Sequence, residues 1–168
     1  MSRNQPQLFS FRSPPEQPYW RIVNDRVMGG LSQSSFQITE DQTGLFQGAL
    51  SLEKSGGFCS VRFTRQIQDL PDLVGFALRC RGSASTFQFR LYLASDDSRP
   101  AFASSFQPPD VSWGEIRLPL ESFTAVQRGK TIPDLPPPHP GEIHQVGLLI
   151  ADQQQGEFWL EIDWIRAY

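Results

Sequence analysis

The sequence predicts an all-β sandwich or barrel. Two observations carry that expectation. First, apolar and polar residues alternate with a period of two. Residues 87–93 read Phe-Gln-Phe-Arg-Leu-Tyr-Leu, which turns Phe87, Phe89, Leu91 and Leu93 one way and Gln88, Arg90 and Tyr92 the other. Second, turn residues punctuate such runs about every dozen positions, with no long helical pattern between them.

The predicted strands follow in chain order. Short runs occupy 34–39, 45–52, 58–64, 73–80, 87–93, 101–106, 113–118, 144–151 and 158–164. In the last, Phe158, Leu160, Ile162 and Trp164 are expected inward, and Glu161 and Asp163 outward. Turn chemistry is expected at Thr43-Gly44, Ser55-Gly56-Gly57, Arg81-Gly82-Ser83 and Asp96-Asp97-Ser98. Glycine tolerates positive φ there, and Asp or Ser bonds its own backbone.

Two segments break the rhythm. Residues 1–18, with Pro14, Pro15 and Pro18, read as an extended lead-in. Residues 127–141 include Pro136-Pro137-Pro138 and read as a surface loop, because proline lacks the N–H that a ladder needs. The loop is either functional or a stiff connector crossing between sheets.

The 168 residues suit one domain over 1–168, long enough to bury about 70% of its unfolded surface. Thirteen Phe and four Trp supply a core. Net charge is −3 and no run of basic residues occurs, which argues against nucleic acid and against a polybasic lipid anchor. The first residues lack the apolar run of a signal peptide, and no stretch matches a membrane span of about 20 apolar residues. A cytoplasmic location is expected, at most peripheral to an energy-transducing membrane. Cys59 and Cys80 have no metal spacing and read as reduced core thiols, with a disulfide open if their strands are neighbours.

The densest cluster of unusual residues is Trp20-Arg21-Ile22-Val23-Asn24-Asp25-Arg26-Val27-Met28-Gly29-Gly30-Leu31-Ser32. It is either a recognition loop at one end of the sandwich, or a tight turn in which Asp25 caps amides while Trp20 and Met28 plug the core. Catalytic motifs are missing: there is no P-loop, GxGxxG or GxSxG. His139 and His144 are five apart among prolines, which does not suit zinc. Glu161 and Asp163 share a strand face and could serve a glycosidase, although acids are expected at such polar positions anyway. Asp96-Asp97 or Asp152 could sit near a loop Ca²⁺, but the full ligand set is missing. No metal and no cofactor is expected.

The ordered set of residues resembles the CIA30 family, the complex I intermediate-associated protein 30 family. The likeness starts with Trp20, Asn24, Asp25, Arg26, Met28, Gly29, Gly30 and Ser32. It continues through Phe46-Gln47-Gly48, Gly56-Gly57-Phe58-Cys59-Ser60-Val61-Arg62 and Leu78-Arg79-Cys80-Arg81-Gly82. It then runs through Trp113-Gly114-Glu115-Ile116-Arg117-Leu118-Pro119, Phe123 and Gly147-Leu148-Leu149-Ile150. It ends at Gly156-Glu157-Phe158 and Glu161-Ile162-Asp163-Trp164-Ile165.

This resemblance implies a galactose-binding-like jelly-roll β-sandwich that is not an enzyme. It also implies an assembly factor or chaperone that binds a protein client in the biogenesis of a respiratory, complex I-like, or photosynthetic membrane complex. Its signature loop would then be the contact site. With no transit peptide or second domain in view, a bacterial origin is expected. The alternative is a carbohydrate-binding module, with Trp113 and Trp159 as further contact candidates.

Overall fold

In the computed structural model of the chain, residues 7–12, 17–24, 30–55, 57–67, 70, 72–96, 98–151 and 154–168 are described. The alternating runs become strands β1 (Gln7–Phe9), β2 (Trp20–Asn24), β3 (Gln33–Ile38), β4 (Gly44–Leu50), β5 (Cys59–Phe63), β6 (Gly75–Gly82) and β7 (Phe87–Tyr92). They continue as β8 (Ala101–Phe106), β9 (Gly114–Pro119), β10 (Thr124–Gln127), β11 (Lys130–Ile132), β12 (Gln145–Ile150) and β13 (Gly156–Ala167). One sheet has the order β3-β4-β13-β6-β9, with β1 also on β13; the other has the order β11-β10-β8-β7-β12-β5-β2. All these pairings are antiparallel. The chain passes repeatedly from one sheet to the other, as a jelly-roll sandwich requires.

Aromatic rings fill the space between the sheets. Phe46, Phe76, Phe87 and Phe89 are fully buried. Phe76 of β6 meets Phe89 of β7 at 5.1 Å, and Phe158 of β13 meets Phe87 at 6.1 Å, so both contacts join opposite sheets. Edge and tilted ring geometries of this kind add to the stabilisation from burial alone.

The structure corrects several expectations. Within the lead-in, Gln7–Phe9 pairs with β13, and Phe9 and Phe11 enter the core. The signature opens with a strand, β2, which pairs with β5. The segment 127–141 is a loop only in its second part, because Gln127 and Lys130–Ile132 belong to the β10–β11 hairpin turned by Arg128-Gly129. Gly44 opens β4 and Gly82 closes β6, so neither is a turn residue. The turn before β4 instead places Gln42 at φ 59.

Trp164 is the clearest reversal. The β13–β6 register shifts between Ile162 and Trp164, so Asp163 bulges. Beyond the bulge the alternation inverts: Ile165 is fully buried and Trp164 turns outward beneath Arg166, whose guanidinium lies 4.0 Å from the ring centroid.

Cys59 lies on β5 and Cys80 on β6, in different sheets; both are buried and no disulfide joins them. Desolvation pushes the Cys80 thiol from 9.0 up to about 12. Because the folded value is raised, the thiol's contribution to stability is complete below pH 9 and is lost as pH rises towards 12. Iodoacetamide at pH 8 is therefore expected to leave Cys80 unmodified in the folded chain and to modify it in urea. Peptide mapping by mass spectrometry reads both states, and prompt native modification would contradict the burial.

Candidate functional site

The signature begins inside the core. β2 directs Trp20 inward, where its ring lies 4.8 Å from Phe36, 5.1 Å from Phe9 and 5.2 Å from Phe63. Its indole N–H is buried with no hydrogen-bond partner among the described residues. Asn24 closes β2 opposite Cys59 and is half-buried. Asp25, Arg26, Met28 and Gly29 lie outside the described residues, as does Val27. Gly30 is buried, and the buried Ser32 hydroxyl accepts from the Ser51 amide at 2.9 Å. That bond fixes the entry to β3 against the residue after β4. β2 and β3, the strands on either side of the signature's undescribed residues, belong to different sheets.

Trp113 and Trp159 sit on the outer face of the six-stranded sheet and are half-buried. Trp113 lies under Arg81 and Arg79, with guanidinium-to-centroid distances of 4.7 and 5.4 Å. Trp159 is held by Ser83, whose hydroxyl accepts from its amide at 3.1 Å and whose amide donates to its carbonyl at 3.0 Å. Trp164 adds a third outward tryptophan that the sequence pattern had assigned to the core.

Several charges on this face are paired. Arg81 meets Glu161 at 2.7 Å, and the same carboxylate accepts from the Thr43 hydroxyl at 2.7 Å. Asp163 bridges Arg12 at 2.7 Å and Arg79 at 3.1 Å. Each carboxylate of the pair considered for a glycosidase is therefore engaged by guanidinium groups of neighbouring residues.

Among the described residues, no three His, Cys, Asp or Glu side chains cluster as metal ligands. Asp96 accepts from the Ser98 amide at 3.0 Å, a local turn, and hydrogen bonding from the Ser98 side chain and then from this amide lowers its pKa. Asp97 and Asp152 lie outside the described residues. His139 caps a short 3-10 turn, its Nδ1 accepting from the Gly141 amide at 3.1 Å while Glu142 accepts from the His139 amide. The His139 amide and Arg99 hold Glu142 below its ordinary value.

The outer face of the seven-stranded sheet differs in charge. Its strands carry no Asp or Glu at all, only Arg21, Arg62, Arg90 and Lys130. Pairing aligns Arg21 with Arg62, Arg62 with Gly147, and Gly147 with Arg90. A Cβ on Gly147 would lie 3.1 Å from the Tyr92 ring and 2.7 Å from the Val61 carbonyl. Glycine there lets the Tyr92 ring lie against the sheet, and Arg62 stacks on that ring at 3.6 Å. The linear sequence shows no basic run; the topology assembles a basic row from three distant arginines.

These observations define an all-β jelly-roll sandwich, and solved carbohydrate-binding modules share its fold. A family 11 carbohydrate-binding module of a cellulosomal cellulase from Clostridium thermocellum superposes with a TM-score of 0.68 at 13% identity, covering 99% of this chain and 95% of that one. The family 11 module from the same organism in complex with a β-1,3-1,4-mixed-linked tetrasaccharide gives 0.62 at 14% identity, over 96% and 93% of the two chains. The chain belongs to the family described as Complex I intermediate-associated protein 30 (CIA30), whose model matches residues 9–162. It is 21% identical over 182 aligned positions to the mitochondrial complex I intermediate-associated protein 30 of Mus musculus. That alignment covers 96% of this chain but 55% of the mouse protein, so the chain spans about half the length of this relative. No helix among the described residues is long and apolar enough to cross a membrane.

Proposed function

We propose that residues 1–168 form one CIA30-like module that binds a protein client during assembly of a respiratory, complex I-like, or photosynthetic membrane complex. It acts without catalysis, from the cytoplasmic side and at most peripherally to the membrane. The observation that supports this most is the family match through residues 9–162, which covers nearly the whole sandwich. The paired state of Glu161 and Asp163 fits a binding role better than acid–base chemistry. The signature residues divide by position. Trp20, Gly30 and Ser32 anchor the frame, while Asn24, Asp25, Arg26, Met28 and Gly29 form the client contact.

Affinity purification of the tagged chain from its native host tests this reading. Wild type is expected to retain subunits of one membrane complex. An Asp25→Ala, Arg26→Ala double variant of unchanged melting temperature is expected to lose them. Failure of wild type to retain any such subunit, in a host that makes the complex, would count against assembly. The second reading, carbohydrate binding, draws on the shared fold and on half-buried Trp113 and Trp159. It requires a rise in melting temperature with a soluble β-glucan oligosaccharide that Trp113→Ala abolishes.

A further inference from the structure

We infer that the outer face of the seven-stranded sheet is a docking site for an extended, acidic segment of a protein partner, read by Arg21, Arg62 and Arg90. The inference rests on the client-binding reading above and gives that client a chemistry.

Charge segregation is the first argument. The chain is net negative, at −3. Its six-stranded sheet carries Glu115, Glu157, Glu161 and Asp163 beside Arg79, Arg81, Arg117 and Arg166. There, Arg79, Arg81 and Arg117 each meet an acid. The seven-stranded sheet has cations and no acids within its strands. Arg21 is exposed, and neither it nor Arg90 forms an ion pair among the described residues. Arg90 donates from Nε to the Gln88 side chain at 3.0 Å, which orients the guanidinium and leaves its other donors available.

Geometry is the second argument. The arginines stand in one register row, at right angles to the strands. With strands about 4.8 Å apart, the row spans roughly 15 Å from β2 to β7. An extended peptide presents alternate side chains about 7 Å apart on one face. Acidic residues at every second position would therefore meet the row. Arg62 is held in place by the Tyr92 ring and by its contact to the Ser95 carbonyl at 3.4 Å, so less freedom is lost on binding.

Residue type is the third argument. The row is arginine rather than lysine, and the planar guanidinium fork matches a carboxylate with two parallel hydrogen bonds. Gln88, Ser105 and Thr124 project from the same face and supply polar contacts around the row. A membrane surface is a poorer occupant. Of the exposed large apolar residues among the described residues, Val23 alone projects from this face.

The test is fluorescence anisotropy with a labelled peptide alternating glutamate and serine, against the same peptide with glutamine for glutamate. Arg21→Gln, Arg90→Gln is the principal variant. Arg62 stays, because its stacking supports Tyr92. Thr124→Glu is a second variant that removes no contact and adds an acid to the row.

Wild type is expected to bind the acidic peptide, more weakly as salt rises, and to ignore the glutamine peptide. Each arginine removed is expected to weaken binding about tenfold, and Thr124→Glu to weaken it also, with melting temperatures unchanged. Equal binding of both peptides, or undiminished binding by the folded double variant, would overturn the inference. So would arginine-dependent binding to phosphatidylcholine–phosphatidylserine vesicles without peptide binding, which would assign the face to a membrane. If wild type retains complex subunits but binds no acidic peptide, this inference fails and the assembly reading stands. If it binds the peptide through the arginines but retains no subunit, the assembly reading fails and the acidic-segment site remains.

Discussion

Replacing Trp20 with alanine is expected to lower the melting temperature by about 6–20 °C. The ring packs among Phe9, Phe11, Phe36 and Phe63, side chains of β1, the segment after it, β3 and β5. Those elements belong to both sheets, so the cavity would open where the sheets meet. Deleting a buried tryptophan costs about 3–5 kcal/mol, and for a chain of this size each kcal/mol shifts melting by about 2–4 °C. Trp20→Phe is expected to cost much less. It keeps an aromatic ring and removes an indole N–H that is buried without a partner among the described residues. Urea denaturation with an unchanged m value would show that stability changed rather than the extent of unfolding. If alanine leaves the midpoint where it was, Trp20 is not a core residue and the signature must be read as a surface motif.

That outcome bears on how the family signature should be interpreted. From the residues alone, the signature reads either as a recognition loop or as a tight turn in which Trp20 plugs the core. Burial places Trp20 and Ser32 in the frame: Trp20 in the core, and Ser32 clamped to Ser51.

The fold class was legible because alternation is local. Phe87, Phe89 and Leu91 are fully buried, as their period of two requires, and Phe158, Leu160 and Ile162 repeat the pattern. Trp164 was not legible, because the bulge at Asp163 is a property of how β13 meets β6 and leaves no mark in the spacing of its own residues. The β10–β11 hairpin was hidden for another reason. Its strands are three and four residues long, too short to display a period, and the prolines downstream dominate the segment. The basic row was the least legible feature. Arg21, Arg62 and Arg90 are far apart in sequence, and only the order β7-β12-β5-β2 brings them into one register. A reading based on runs of charge therefore dismissed a basic surface that the pairing creates.

Gly48→Ala is expected to destabilise the chain by about 3 kcal/mol or more, although it adds a single methyl group. Gly48 lies on β4 between Ser34 of β3 and Phe158 of β13. A Cβ there would stand 2.1 Å from the Gln33 carbonyl oxygen and 2.7 Å from the Ser34 Cα. Both obstacles are backbone atoms of a hydrogen-bonded neighbour, so a rotamer change cannot relieve them. β3 would have to move, and with it the Ser32–Ser51 clamp that fixes the exit of the signature loop. Gly129→Ala is the matched control. Gly129 turns the β10–β11 hairpin at φ +75 with nothing within 4 Å of an added Cβ. Alanine there incurs only left-handed backbone strain, about 1–2 kcal/mol. Thermal melts of the two variants should therefore rank Gly48→Ala well below Gly129→Ala. The reverse order would mean that β3 and β4 are not in this register. In that case the signature loop would leave the sandwich at a different point, and the frame assigned to Trp20, Gly30 and Ser32 would have to be redrawn.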